Sequence, residues 1–386
     1  MKDILMKGLA LNEDERLIFQ TIQDFCQKEI APLAAEIDRD ERFPWETIEK
    51  IKELGLAGLF IPEEYGGNPV SKTAWVAIMK EIAKACMATS LIFCTIYHSS
   101  YFISLLGTPE QKKKFLPLFM EGAVGSICIT ESGAGSDVRG MRTMAVKQSD
   151  GFLMNGTKTF VTNGDVAKIL TIFSKVKEND EILGINPIVI TSDMPGFSVG
   201  KKEEKLGMRA SGTAEVILED CNVPDDHLLG KPGEGFKALL TYLNESRPNV
   251  AAQAVGVAEA AFEASVTYAN TRIQFGRRII ENQGVLFMIA EMATQLHAAW
   301  QMLLHVARLM DEGHKDYSTE SSIVKLFASE MAEKVTSNAI LIHGGYGYCR
   351  DYPVERMYRD AKLLQIYEGT SHINKVVIGR RFLEKI

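Results

Sequence analysis

Hydrophobic positions along the chain change their period twice. Behind Asn12-Glu13-Asp14-Glu15, which offers an N-cap and an acidic first turn, Ile18, Ile22, Phe25 and Ile30 recur at helical spacing. Pro32 and Pro44 punctuate this region, and Trp45 to Leu54 forms a second amphipathic piece closed by Gly55. Pro62 to Gly67 reads as a loop. Ser71 to Met87 and Ala88 to Leu106 predict longer helices, and Pro109-Glu110-Gln111 opens another that Lys112 to Phe119 continues.

From Ser126 to Leu218 the texture is short β-branched or aromatic runs between Gly, Asn, Asp and Ser. The runs are 127–130, 143–146, 151–155, 158–162, 169–176, 187–191 and 214–218, and Asp150-Gly151 and Asn155-Gly156 are hairpin-type dipeptides. Helical spacing returns from about Gly233, in Phe236 to Arg272, Gln283 to Glu312, Ser321 to Leu341 and Ser371 to Leu383, with a break at Gly344-Gly345-Tyr346-Gly347. The pattern predicts a mainly α chain with a middle β domain. Its parts are an N-terminal helical domain over 1–122, an antiparallel β barrel or sandwich over 123–232, and a C-terminal helical domain over 233–386.

The composition, 46% hydrophobic and 24% charged over 386 residues, is that of a globular protein. A net charge of −7 argues against nucleic acid and anionic lipid as general partners. The six cysteines show no C-x-x-C spacing and no Cys/His cluster, so no metal is expected and the thiols read as reduced, in a cytoplasmic protein. The first residues lack the apolar run of a signal peptide and are too acidic for a transit peptide. Ala85 to Thr108 carries no Lys, Arg, Asp or Glu and is long enough to span a bilayer. Its many Ser and Thr residues and His98 point instead to a buried helix, without membrane insertion.

Six strings carry candidate chemistry, each with a plainer reading beside it. Thr130-Glu131-Ser132-Gly133-Ala134-Gly135-Ser136-Asp137 follows a strand and lets backbone N–H groups approach a ligand, or is a polar turn. Phe160, in 158–164, is a stacking platform or a core aromatic. Arg247, in Asn244-Glu245-Ser246-Arg247-Pro248, binds a ligand or makes a surface ion pair. Arg272 to Arg278 offers cations to a diphosphate, or is a solvated helix end. His343 to Tyr348 allows close backbone approach or simply stops a helix, and lacks the strand context of a Rossmann loop. Glu368, between Ile366-Tyr367 and Gly369, is a carboxylate in an apolar, aromatic setting suited to general base catalysis, or a capping acid.

Their order and spacing together closely resemble the acyl-CoA dehydrogenase family of flavoproteins, over about residues 10–385. The resemblance rests on the strings at 130–137, Arg-x-x-Phe-Gly at 272–276, Pro-Val-Glu-Arg at 353–356 and Arg-Asp-Ala-Lys-x-x-x-Ile-Tyr-Glu-Gly-Thr at 359–370. It implies a helical domain, a β domain and a C-terminal four-helix bundle, assembled as a homotetramer or dimer that binds FAD. Glu368 would then be the catalytic base. Ile127, Ile129, Thr130, Gly135 and Ser136 would line one side of the flavin, and Phe160, Val161 and Thr162 its other face. Arg272, Gln274 and Phe275 would hold the diphosphate of a partner subunit's FAD. Asn282, Gln283, Leu341, Ile342, His343, Gly344 and Gly345 would hold its ADP part, and Thr370, Ser371 and His372 would complete the site. Ser136, Asn244, Arg247, Tyr367 and Gly369 would contact the acyl-CoA.

The implied reaction is α,β-dehydrogenation of an acyl-CoA to the trans-2-enoyl-CoA, with Glu368 taking the α proton and the β hydride going to flavin N5. Electrons would pass on to an electron-transferring flavoprotein. Bulky Ile96, Tyr97 and Tyr101 favour a short, branched or cyclic acyl group. Two positions depart from the family pattern: Phe160 stands where many relatives have Trp, and Ser246 where some carry the base. An acyl-CoA oxidase, a decarboxylating relative and a non-catalytic acyl-CoA-binding subunit are the rival readings.

Overall fold

A computed structural model describes residues 1–383; residues 384–386 of the predicted C-terminal domain lie outside the described range. Seven helices come first: α1 (Lys2–Leu5), α2 (Glu13–Phe25), α3 (Ala31–Arg39), α4 (Trp45–Glu53), α5 (Lys72–Ala85), α6 (Met87–Leu106) and α7 (Pro109–Met120). Asn12 and Glu15 form a reciprocal capping box on α2, and Thr108 and Gln111 form one on α7, which satisfies N–H groups that a helix start leaves unpaired. Extended backbone at Cys86 separates α5 from α6. By length and composition α6 could cross a membrane, but most of it is buried inside the fold.

Strands β1 (Gly125–Cys128), β2 (Met144–Gln148), β3 (Gly151–Thr162), β4 (Ile169–Glu178), β5 (Glu181–Thr191), β6 (Phe197–Lys202) and β7 (Thr213–Val223) make one sheet. The sheet is mixed rather than wholly antiparallel. β1 and β2 both pair parallel with β4, whereas β5 pairs antiparallel with it, and β2–β3, β3–β7 and β6–β7 are antiparallel. Alternation and turn dipeptides mark strands and local hairpins, but the edge a distant strand joins is set by packing.

Asn155-Gly156 is not a turn. β3 runs through it, with a register shift between Met154 and Gly156. Gly156 has φ +152°, and a Cβ there would lie 2.5 Å from Thr143 Oγ1, so the glycine serves a bulge.

The chain closes with α8 (Gly235–Thr271), the two-residue strands β8 (Ile273–Gln274) and β9 (Arg277–Arg278), α9 (Gln283–Asp311), α10 (Ser318–His343), α11 (Val354–Ala361) and α12 (Ser371–Arg380). The N- and C-terminal helices share one apolar core around Phe93, Phe102, Val255 and Trp300. The sheet has its own core, around Met154, Ile172 and Val216.

Candidate active site

Glu368 occupies a turn between α11 and α12. Its φ is 53° and that of Gly369 is 91°, so both lie in the left-handed region. A residue with a Cβ is uncommon there and needs its surroundings to hold it. The Gly369 carbonyl supplies that hold, accepting from Lys325 Nζ at 2.7 Å and Asn374 Nδ2 at 2.8 Å. The carboxylate faces the first half of α8. The Tyr242 hydroxyl donates to Oε1 at 3.1 Å and the Ser246 hydroxyl to Oε2 at 2.7 Å. His98 Nδ1, from α6, lies 3.8 Å from Oε1.

The apolar setting expected from the sequence neighbours is therefore corrected. Ile366 is exposed and the Tyr367 hydroxyl donates to Gln253, while the groups around the carboxylate come from other helices and are polar. Arg247 is 4% exposed; its Nη1 donates to Asn244 Oδ1 at 3.3 Å and Ser322 Oγ at 3.0 Å. Its Nε has no partner among the described residues. Burial lowers the Arg247 guanidinium, against the pull of the Glu368 charge. Burial likewise brings the Lys325 ammonium down to about 8. Glu245, one residue before Ser246, points elsewhere, to Lys72 Nζ at 2.9 Å and the Tyr317 hydroxyl at 3.1 Å.

A second surface is built from the loop after β1 and the irregular end of β3. Glu131 roots the loop. It accepts from the Arg142 amide at 2.6 Å, the Thr143 amide at 3.0 Å, the Thr143 hydroxyl at 2.6 Å and Lys158 Nζ at 2.8 Å. Burial alone would push its carboxyl up, but these donors hold it at about 2. Ile127, Ile129 and Thr130 are half-buried, and Gly135 and Ser136 are exposed. Phe160 sits at a register shift between Lys158 and Val161, with φ 54°, and is 65% exposed. The bulge turns this ring out of the sheet. Val161 differs from its expected role: its side chain lies in the sheet core, so only its backbone reaches this face. The Thr162 carbonyl accepts from Ser126 Oγ at 2.7 Å.

A third surface lies at the far end of α8. Arg272, Gln274, Ile342, His343, Gly344 and Gly345 line one cavity of about 480 Å³. The Arg272 guanidinium lies 5.8 Å from the centroid of the Tyr346 ring. His343 stacks on Tyr268 at 4.3 Å and its Nδ1 pairs with the Ala339 carbonyl at 2.8 Å, so the ring walls the cavity. Asn282 accepts from Arg277 at 2.6 Å; Gln283 starts α9, and Phe275 and Leu341 are exposed. About 25 residues of α8 separate Arg247 from Arg272, roughly 37 Å at the helical rise. Thr370 caps α12, the buried Ser371 hydroxyl has no partner among the described residues, and His372 is exposed.

These surfaces fit a flavin dinucleotide. A Cβ on Gly133, Gly135, Gly344 or Gly345 would meet nothing within 4 Å, so the backbone is open to close approach. Phe160 offers an exposed aromatic face and Arg272 an exposed guanidinium suited to a diphosphate.

Sequence reasoning assigned no role to Tyr242, Ser246, His98, Lys325, Glu131 or Lys158. One signal was present. Tyr242, Ser246, Asn249 and Gln253 repeat at spacings of four, three and four in an Ala-rich helix, and all are buried. A polar stripe on an apolar helix marks a face turned to other polar groups.

Comparison with known proteins gives one consistent result. Three family models match: the acyl-CoA dehydrogenase N-terminal domain over residues 12–123, the middle domain over 126–221 and the C-terminal domain over 233–383. The chain is 42% identical to an acryloyl-CoA reductase (NADH) of Anaerotignum propionicum, covering 97% of this chain and 96% of that one. It superposes on butyryl-CoA dehydrogenase from Megasphaera elsdenii with a TM-score of 0.93 at 35% identity, covering 97% and 99% of the two chains. A chain in the solved electron transferring flavoprotein structure of Acidaminococcus fermentans gives 0.93 at 40% identity, again covering 97% and 99%.

Proposed function

The chain belongs to the acyl-CoA dehydrogenase family, FAD-dependent oxidoreductases, and on that footing we propose that it converts a short acyl-CoA thioester to the trans-2-enoyl-CoA, with Glu368 removing the α proton. The observation that carries this reading is the Glu368 turn. Its side chain is 12% exposed, and hydroxyl donors that a substrate can displace hold both carboxylate oxygens. Its backbone N–H has no hydrogen-bond partner among the described residues.

An α C–H of a thioester is too weak an acid for a carboxylate unless the carbonyl oxygen is polarised. A free amide beside the base provides such a donor, worth most where water is excluded. The left-handed backbone at Glu368 frees that amide and the carboxylate from the same residue. Arg247 and Lys325 place positive charge near the carboxylate, and Asn244, Arg247, Ser136, Tyr367 and Gly369 would contact the acyl-CoA. When bound, the flavin accepts the hydride from the β carbon.

A short acyl group is favoured by the rings beside Glu368. Tyr242 packs at 5.1 Å from His98, 5.5 Å from Tyr101 and 4.9 Å from Phe102. The similarity to a protein named as an acryloyl-CoA reductase points to the same size, and makes reduction of a short enoyl-CoA the second reading.

Arg247 lies beside the Glu368 turn, and the run of α8 from it to Arg272, roughly 37 Å at the helical rise, is longer than an extended dinucleotide spans. Arg272, Gln274, Phe275, Asn282, Gln283 and 341–345 would therefore hold a second copy's FAD, whereas the 127–136 loop, Phe160 to Thr162 and Thr370 to His372 would hold the chain's own. This makes the site incomplete without a homo-oligomer, tetramer or dimer. An electron-transferring flavoprotein is the proposed electron acceptor.

The test is anaerobic flavin absorbance on adding short, medium, branched, cyclic and dicarboxylic acyl-CoA thioesters. Rapid bleaching by short thioesters is expected. Glu368→Gln should keep the flavin and lose about 10²–10⁴-fold in bleaching rate. A yellow wild-type protein that no thioester bleaches overturns dehydrogenation, and near-normal bleaching by the variant overturns Glu368.

A further inference from the structure

We propose that His98 is a positioning residue for Glu368: a neutral imidazole whose proton is fixed on Nδ1 by Trp75 and Asn249 and presented to the carboxylate. The proposal rests on the reading of Glu368 as the base. His98 is 3% exposed, in the middle of the uncharged helix α6. The Trp75 indole, a donor only, gives its N–H to Asn249 Oδ1 at 2.9 Å. The Asn249 amide is thereby oriented, and its NH₂ faces His98 Nε2 at 3.4 Å. The Cys94 thiol lies 3.3 Å from the same nitrogen. The Asn249 NH₂ can only donate, so Nε2 accepts from it, and a neutral ring then carries its proton on Nδ1. That nitrogen is 3.8 Å from Glu368 Oε1.

The surrounding groups agree with a neutral ring. Burial lowers His98, with the Glu368 charge opposing, and burial raises the Cys94 thiol well above its usual range, so it stays protonated. Glu368 is also faced by Tyr242 and Arg247 from α8 and Lys325 from α10, and His98 by Tyr97 and Tyr242.

Two consequences follow. The Nδ1–H dipole favours the ionised carboxylate and keeps Oε1 facing α6 once substrate displaces the Tyr242 and Ser246 hydroxyls. With Nε2 saturated, His98 has no free lone pair, so a proton taken by Glu368 stays there through the step.

The first arm of the test is ¹⁵N NMR of histidine-labelled holoenzyme, with the His98 signal assigned by its loss in His98→Gln. A protonated Nδ1 and a bare Nε2 at pH 7 are expected. A proton on Nε2, or on both nitrogens, overturns the proposal whatever the enzyme's activity. The second arm is the pH profile of thioester-driven flavin reduction. His98→Leu should move the acid limb up by about half a pH unit or more. His98→Gln, whose amide can donate in its place, should restore it. Lys325, brought down to about 8, titrates on the alkaline side and leaves the acid limb clear.

A wild type reduced by thioester, with His98→Leu superposing on its profile, overturns the inference alone. A wild type that no thioester reduces overturns the functional reading, and the NMR arm then decides the inference.

Discussion

Replacing Glu131 by Gln should destabilise the protein by about 3 kcal/mol at pH 7. The side chain is almost buried, and its Lys158 partner is fully so, with Nζ placed between Glu131 and the Ile129 carbonyl. Glutamine keeps one acceptor oxygen, enough for the Thr143 donors, but turns an NH₂ toward the Arg142 amide and leaves the ammonium without its counter-ion. Folding moves the Glu131 carboxyl from 4.5 to about 2, which at about 1.4 kcal/mol per unit is about 3 kcal/mol as an upper figure, because burial lowers its partner Lys158 and offsets part of that gain. Breaking a buried pair by removing one partner lies in the same range, about 3–5 kcal/mol.

Because folding lowers this pKa, the stability is fully present above the unfolded value of 4.5 and is lost as pH falls toward about 2. At about 2.1 cal/mol/K per residue, a single melting transition of this chain should drop by about 4 °C. Urea denaturation at pH 7 and pH 4 measures the gap, which should narrow at the lower pH. Glu131→Gln combined with Lys158→Met should recover part of the loss, because the unpaired charge is gone. A single variant within 1 kcal/mol of wild type, or a double variant no better than the single, would refute the reasoning. Flavin should also be retained less well, since this pair roots the 130–137 loop.

Three further outcomes are expected. Burial pushes the Asp360 carboxyl up to about 6, although the Met208 amide donates to it at 2.5 Å. A raised acid is penalised as pH climbs through the window between 3.8 and about 6, so Asp360→Asn should match wild type in urea at pH 4 and exceed it at pH 8; equal stability at both ends would refute this. Gly256→Ala places a Cβ 2.3 Å from the Lys80 carbonyl and 2.8 Å from Ala83 Cβ, prising α5 from α8. Urea denaturation should show a loss of about 1–3 kcal/mol, and an unchanged midpoint would show that the crossing has room. Phe275→Ser removes a 97% exposed ring from the β8–β9 hairpin and should lower the mass found by sedimentation together with bound flavin. Wild-type mass and flavin content would take the hairpin out of the interface.

Sequence alone determined the order of helical, β and helical segments, the starts of α2 and α7, and the place of Glu368 in a Tyr-Glu-Gly-Thr turn. Each is a local matter. Capping boxes join residues three apart, helix and strand periods follow from backbone geometry, and Gly369 permits the left-handed turn. The tertiary structure decided the rest. Asn155-Gly156 looks like a hairpin, and only the nearness of Thr143 makes Gly156 a bulge. The neighbours of Glu368 in sequence are apolar and aromatic, yet the groups that reach its carboxylate are Tyr242, Ser246 and His98, all more than a hundred residues away. Arg247 lies within α8 and Arg272 just past its end, and only the straight length of that helix shows how far apart the two cations stand. Local sterics and hydrogen bonds act over a few residues and are legible in order. Which polar groups meet in a low-dielectric interior depends on how whole helices pack, and no window of the sequence holds that information.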